Sequence, residues 1–323
     1  MSLENWAAWL ALAAALAIVA LVAICWHFAN QLVRPPRQQS KLTPADLSLD
    51  AETVEFAARD GVLLRGWWIP ARRARGTIIF SHGYRGDSST DLEYAAWLTG
   101  EGYNLLYFDH RAHGMSDGRY TTLGYLETRD LLGAIDFLKG RGIERVGVLG
   151  FSMGGSVALQ TAPLTDAIVG VVVDCTFANL HRLILHHAPA FYTPWWFAPI
   201  STTLVMLIAS LQTRCNLFAH SPEKSIPLIS PRPVLLIQAG KDELVPPIET
   251  ARLYAAACEP KELWMVADAI HRCVDDIVEE EYKQRVAEFF NQLFPDEGLM
   301  LTDAEPIISA TRHPSPVISY YAR

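Results

Sequence analysis

Three residue types that can carry out acyl transfer occur in this chain in a usable order: Ser152, then Asp242, then His271. A serine hydroxyl is a poor nucleophile near neutral pH. It attacks a carbonyl when a histidine takes its proton, and the histidine needs a carboxylate to orient it. Ser152 lies in Gly150-Phe151-Ser152-Met153-Gly154-Gly155. Glycines two before and two after the serine let the backbone turn sharply without side-chain clash. Between a strand and a helix, such a turn pushes the hydroxyl out where base and substrate both reach it. The oxyanion formed on attack needs two backbone N–H groups and no side chain. Met153, directly after the serine, is one candidate donor, and Tyr84, after His82-Gly83, is the other. Asp174 is a rival acid at an earlier strand end. Asp268 is near His271 in sequence but is expected on the wrong side of the strand.

The remaining histidines invite a metal reading. His110 and His113 share a loop, and His186 and His187 are adjacent. Neither pair fits a metalloprotease helix pattern and no third ligand stands out, so no metal and no cofactor is expected. Asp109 and Arg111 are read as pinning the loop after their strand.

Positioning these residues is the task of the elements around them. Thr53 to Ala57 alternates, Asp60-Gly61 makes a turn, and Val62 to Ile69 returns, which predicts a hairpin. Short apolar runs follow at Gly76–Phe80, Asn104–Phe108, Val146–Leu149, Ile168–Val173, Val234–Gln238 and Glu262–Val266. Helical patterns at Leu92–Thr99, after Ser152, at Thr128–Lys139 and at Tyr282–Phe294 alternate with them. A hairpin followed by that alternation predicts a mostly parallel α/β sheet with ligands at the strand C-ends. Ser152, Asp242 and His271 each follow a strand.

The chain has 323 residues, half of them hydrophobic, and a net charge of −8. That charge argues against a nucleic-acid partner. Arg72-Arg73-Ala74-Arg75 reads as a solvated loop. The five cysteines form no C-x-x-C pair and read as free thiols in a reducing compartment.

The N-terminus is different in kind. Trp6 to Ala29 is nearly all apolar, and as a helix it reaches roughly 36 Å, enough to cross a bilayer core of about 30 Å. Residues 1–33 are therefore expected to be a transmembrane anchor. Arg34, Arg37 and Lys41 follow it and only Glu4 precedes it. The positive-inside rule then makes the protein single-pass, with the rest of the chain in the cytoplasm. Residues 34–50, with three prolines, read as a linker lifting a domain off the membrane. Residues 51–294 form that domain, and 295–323 read as a loosely held tail. Within the domain, about 176–230 breaks the strand-helix rhythm and carries no formal charge between Arg182 and Arg214. It is expected to be an inserted apolar cap. A second span there would place Ser152 and His271 on opposite sides of a membrane.

Ser81-His82-Gly83, Asp109-x-Arg111-x-His113-Gly114-x-Ser116, Gly150 to Gly155, Gly240-x-Asp242-x-x-Val245-Pro246 and His271 together resemble the α/β-hydrolase superfamily. More narrowly, the chain is similar to the membrane-anchored α/β-hydrolase-domain proteins and to the serine aminopeptidase and monoacylglycerol-lipase-like group. The resemblance covers about residues 50 to 294. It implies an eight-stranded sheet with helices on both faces, and a serine acyl-transfer mechanism. Ala112 stands where that loop usually has glycine, and the cap matches no motif. The expected substrate is an ester or thioester of an apolar, lipid-like acyl group, with membrane lipid met through the N-terminal helix. A peptidase and a non-catalytic membrane scaffold are the alternatives. A peptidase would need carboxylates in the cap to hold a substrate amino terminus, and the cap has none before Glu223.

Overall fold

A computed structural model describes residues 3–37, 42–191 and 193–295. The chain opens with helix α1, Leu3–Val33, which is long and apolar enough to cross a membrane. Most of it stands clear of the rest of the protein; its last turns do not. Cys25, Ala29 and Val33 are spaced four residues apart, so they share one helix face, and all three are buried.

Strands β1 (Glu52–Ala57) and β2 (Leu63–Ile69) form the expected hairpin, pairing Ala57 with Leu63 around the Asp60-Gly61 turn. Then come β3 (Gly76–Ser81), α2 (Leu92–Ala96), β4 (Tyr103–Phe108), α3 (Glu127–Lys139), β5 (Val146–Phe151), α4 (Met153–Thr161) and β6 (Ile168–Asp174). The cap contributes α5 (Leu180–His187), α6 (Ala198–Thr213) and the single turn α7 (Pro222–Ser225). The chain closes with β7 (Val234–Ala239), α8 (Pro247–Ala256), β8 (Lys261–Val266), the turn α9 (Val274–Ile277) and α10 (Glu279–Leu293).

The eight strands form one sheet in the order β1-β2-β4-β3-β5-β6-β7-β8. β1 and β2 are antiparallel to their neighbours, and the other pairs are parallel. β5 and β7 are buried at every position and β3, β4 and β6 at all but one, as a sheet covered on both faces requires. Alternate residues serve opposite faces. Ile79, Leu106 and Val148 pack with Leu131, Ile135 and Val157 of α3 and α4. Ile78, Leu105 and Leu149 pack with Leu92 of α2 and with Tyr282, Val286 and Phe290 of α10. Each such fully buried side chain contributes about 1.5–3 kcal/mol.

The segment read as a spacer is held along the domain in its described parts. The Arg37 guanidinium donates to the carbonyls of Gly114, Ser116 and Gly118 at 3.1, 2.6 and 3.0 Å. Leu42, Leu47 and Leu49 pack on the sheet's second core. The tail from residue 296 onward lies outside the described residues.

Candidate active site

β5 is flanked by β3 and β6, so its C-terminal end lies mid-sheet. Ser152 follows it with φ 51° and ψ −113°. This is a strained conformation for a residue with a Cβ, held because its surroundings over-determine it. The Ser152 N–H donates to the Asp174 carbonyl at 2.8 Å, and the Thr176 hydroxyl donates to the Ser152 carbonyl at 3.1 Å. The two elbow glycines are sterically required. A Cβ at Gly154 would sit 1.9 Å from the Ser81 carbonyl oxygen, and one at Gly150 would sit 2.6 Å from the Gly155 Cα. Helix α4 begins at Met153, so the Met153 amide is among the unpaired N–H groups of a helix N-terminus.

The acid and the histidine come from neighbouring strands β7 and β8. His271 Nδ1 lies 2.6 Å from Asp242 Oδ2, the tautomer in which Nδ1 carries the proton and donates. The other carboxylate oxygen accepts the N–H groups of Leu244 and Val245 at 2.9 and 2.8 Å. Asp242 is buried, and its carboxylate is thereby held in a fixed plane. The His271 ring lies 5.0 Å from the ring of Phe151, the residue before the serine. The structure thus brings Asp242 and His271 into direct contact beside the elbow.

His271 pairs with Asp242 and with neither rival carboxylate. Asp174 accepts a hydrogen bond from the Tyr94 hydroxyl, and burial pushes its pKa up to about 6. Asp268 is paired with Lys241 at 2.6 Å on the exposed side of the protein.

Gly83 packs against the elbow: a Cβ there would lie 2.9 Å from Phe151 and 3.5 Å from the Ser152 Cβ. That contact sets the His82-Gly83-Tyr84 loop beside the serine. Two buried histidines shape the loop. His82 Nδ1 donates to the Gly83 carbonyl at 2.8 Å while its Nε2 accepts the His110 N–H at 2.8 Å. His113 Nδ1 donates to the Arg111 carbonyl at 2.9 Å, and its Nε2 accepts the Arg85 N–H at 3.3 Å. Burial lowers both pKa values, that of His113 to about 3. Rings that spend both nitrogens on backbone groups are neutral brackets, with no lone pair left for a metal.

The loop after β4 is pinned as its residue types suggested. Asp109 accepts from the Ser88 amide and hydroxyl and from the Met115 amide, each at 2.7 Å. Arg111 is paired with Asp130 and Asp60 at 2.6 and 2.7 Å. Ala112 takes φ 60°, a left-handed conformation that glycine would hold without cost.

Among the described residues, Cys175, Asp242 and His271 come close enough to share a cation. Their chemistry does not suit one. His271 Nδ1 is already bonded to Asp242, and burial raises the Cys175 thiol well above its usual range, so it keeps its proton.

Some positioning residues escaped the sequence reading. Glu127 is wholly buried and gathers the hydroxyls of Thr121 and Thr122 and the amides of Thr122 and Gly124 at 2.6–2.8 Å. Burial opposes its ionised form, but Arg111 and these hydrogen bonds outweigh that and hold its pKa down to about 2. The Tyr84 hydroxyl donates to the Gln31 and Leu32 carbonyls in the last turn of α1 at 3.2 and 3.0 Å. The cap is tied to the acid loop, with His187 Nε2 donating to the Leu244 carbonyl at 2.8 Å. A Thr-Thr-x-Gly-x-x-Glu string just before a helix could have exposed the Glu127 role. The other two are contacts between segments far apart in sequence.

Comparison with known proteins places this arrangement. Residues 72–230 match the family described as serine aminopeptidase, S33. The protein YfhR of Escherichia coli (strain K12) is 30% identical over 250 residues, covering 74% of this chain and 80% of that one. The alpha/beta hydrolase domain-containing protein WAV2 of Arabidopsis thaliana is 29% identical over 254 residues, 74% of this chain and 79% of that one. Among solved structures, the esterase Pf2001 of Pyrococcus furiosus superposes with a TM-score of 0.68 at 32% identity, over 81% of this chain and 98% of that one. With this sheet order, this elbow and these relatives, the chain belongs to the α/β-hydrolase superfamily, and over residues 72–230 it is similar to the serine aminopeptidase S33 family.

Proposed function

We propose that this protein is a membrane-anchored serine hydrolase that cleaves carboxylic ester or thioester bonds of apolar acyl substrates. The observation that carries this reading is the 2.6 Å contact between His271 Nδ1 and Asp242 Oδ2 beside the strained elbow at Ser152. In this mechanism His271 Nε2 takes the Ser152 proton as Oγ attacks the acyl carbonyl. Asp242 holds the imidazole in the tautomer that leaves Nε2 free to accept, and stabilises the imidazolium that forms. The N–H groups of Met153 and Tyr84 receive the charge that develops on the carbonyl oxygen. Collapse expels the alcohol or thiol, which takes the proton from His271. Water then enters and adds to the acyl carbonyl as His271 takes its proton, and His271 returns that proton to Ser152 Oγ as the acyl bond breaks and the acid leaves.

The apolar preference rests on the cap and the anchor. The similarity to an esterase favours esters over amides. The one carboxylate between residues 176 and 230, Glu223, is bonded by the Arg182 guanidinium. It is thus already neutralised and does not offer a seat for a substrate amino terminus. The anchor reading follows from α1 and the positive-inside rule: a single span, with the catalytic domain facing the cytoplasm. No nucleic-acid partner and no cofactor enter the mechanism.

A fluorophosphonate probe tests the reading directly. The full chain is expected to label at Ser152, and Ser152→Ala to lose the label. Equal labelling of the two proteins, or labelling of neither, would refute the mechanism. A series of p-nitrophenyl esters is expected to show kcat/KM rising with acyl length from acetate to octanoate. A fall along the series would remove the apolar preference.

A further inference from the structure

Helix α6 has no charged residue in its 16 positions. Its polar residues are Ser201, Thr202, Thr203, Ser210, Gln212 and Thr213, and its large side chains are apolar on both sides, so each side is either enclosed by protein or set in lipid. One side of α6 is enclosed: Ala198, Thr202, Met206 and Ala209 are buried. Met206 and Ala209 share a core with Cys25, Ala29 and Val33 of α1. The other side is bare. Ile200, Leu207 and Leu211 are 57%, 48% and 77% exposed, and Trp195 and Trp196 just before the helix are 83% and 65% exposed. Positions 200, 203, 207 and 211 form one stripe at helical spacing, and the residue among them that is not large and apolar is a threonine.

The two helices end at the same place. The Thr121 N–H donates to the Val33 carbonyl at the end of α1, and Arg34 donates to the Tyr120 hydroxyl. Leu217, just past α6, is buried with Leu123. Packed side by side with their C-termini at the 120–123 segment, α1 and α6 run in the same direction. Trp195 and Trp196 then lie at the far end of α6, about 24 Å along it from Arg214. Exposed cations collect at the shared end. The guanidinium groups of Arg34 and Arg119 lie 4.7 and 5.3 Å from the centre of the Tyr120 ring. The Tyr120 phenol is pulled below its usual range, first by the Arg34 hydrogen bond and then by the charges of Arg34, Arg119 and Arg214. Beside Arg214, a surface groove of about 450 Å³ is walled by Leu207, Leu211 and Phe218.

We propose that the cap is a second membrane-contacting element: the bare stripe of α6 and the Trp195-Trp196 pair lie in the acyl layer beside the anchor, with Arg34, Arg119 and Arg214 at the headgroups. This rests on reading α1 as a membrane span. It commits the surface to lipid because α6, running beside α1 from their shared end, is long enough for its N-terminal turns to stand level with the part of α1 that meets no protein. A helix fixed there is at bilayer depth, where a soluble partner does not reach. The charge pattern agrees, with apolar residues along the helix and arginines only at the end, where an anionic leaflet attracts them. The cap is bonded to the loop carrying Asp242 through His187, and Tyr84 is bonded to the anchor. The site is therefore closed on this side by the two elements that meet lipid, and an acyl substrate enters it from the bilayer.

Photo-crosslinking in the full chain tests this. Benzoylphenylalanine is placed singly at Trp196, at Leu207, at Ile18 on the bare face of the anchor, and at Glu144 on the N-terminal edge of the sheet. Each protein is reconstituted in nanodiscs of phosphatidylcholine and phosphatidylglycerol, irradiated and analysed by intact mass. All four positions are exposed, and an unchanged thermal midpoint reports that the fold is kept. The expected result is a phospholipid adduct at Trp196, Leu207 and Ile18 and none at Glu144. An adduct at Ile18 without one at Trp196 or Leu207 overturns the proposal and leaves the span standing. A protein dimer adduct at Leu207 in place of lipid also overturns it, assigning the stripe to a second copy. No lipid at Ile18 overturns the span and this proposal together.

Discussion

At Asp242 and Asp174 the same side chain, at neighbouring strand ends, meets two different environments. Asp242 accepts three hydrogen bonds, from His271, Leu244 and Val245. Asp174 sits wholly buried, with the Tyr94 hydroxyl as donor, and burial raises its pKa to about 6. Asp242→Asn is expected to cost about 10⁴ in kcat, because an amide at Oδ2 favours the wrong imidazole tautomer. Asp174→Asn is expected to leave kcat within about threefold, since the group touches no reacting atom. The reverse pattern would reassign the acid. Stability separates the two as well. A folded pKa of about 6 against an unfolded value near 3.8 means that folding favours the protonated acid. Its contribution is complete below pH 3.8 and is lost as pH rises through 6, a cost of about 3 kcal/mol by pH 7. Asp174→Asn removes that cost, so its urea midpoint should exceed that of the parent at pH 7 and converge with it at pH 4. Parallel midpoints across that range would show that Asp174 carries no such burden.

Between elements, one contact joins parts that the sequence reading kept separate. A helix C-terminus leaves four carbonyls without intrahelical partners, and Tyr84 donates to two near the end of α1. The same residue offers its amide to the proposed oxyanion site. Tyr84→Phe keeps the ring and the amide and removes only the hydroxyl, whose single proton is shared between the two carbonyls in one bifurcated bond worth about 0.5–1.5 kcal/mol. If that bond holds the amide in place, kcat for a short ester should fall about three- to tenfold with KM little changed. An unchanged kcat would make the hydroxyl a structural tie only. The strands, the turn at Ser152 and the strand-end positions that bring Asp242 to His271 were legible in the sequence because each is announced locally, by apolar runs of strand length and by glycines beside a chemistry-bearing residue. Arg37 on the carbonyls after β4, Glu127 under its loop and α6 against α1 were not legible. Their partners are set by three-dimensional packing between segments whose spacing carries no signal. The prolines at 35, 36 and 44 suggested a free spacer for the same reason: composition reports local stiffness, and docking depends on what lies opposite.

For the whole molecule, helix α1 is two things along its length. Its first two thirds are bare, while Cys25, Ala29 and Val33 complete a core with Leu123, Phe177, Met206, Leu217 and Val245. That core includes the residue three past Asp242 and underlies the cap, so the end of α1 belongs to the hydrolase domain. Truncation separates the two roles. Residues 5–20 are exposed along their whole length, so on removing residues 1–20 the thermal midpoint in detergent should stay within about 2 °C of the full chain. Removing residues 1–37 strips Ala29 and Val33 from the core, the Tyr84 bond shared by Gln31 and Leu32, and the three bonds from Arg37. At about 1.5–3 kcal/mol for a fully buried side chain and about 1 kcal/mol for each hydrogen bond, several kcal/mol are lost. In a domain of this size that lowers the midpoint by roughly 10 °C. Ester turnover should fall with it, because Tyr84 and the cap lose the surface they rest on. Equal midpoints for the two truncations would mean that the last turns of the anchor are a tether and nothing more. The span would then have to act on the site, if at all, through its position in the membrane alone.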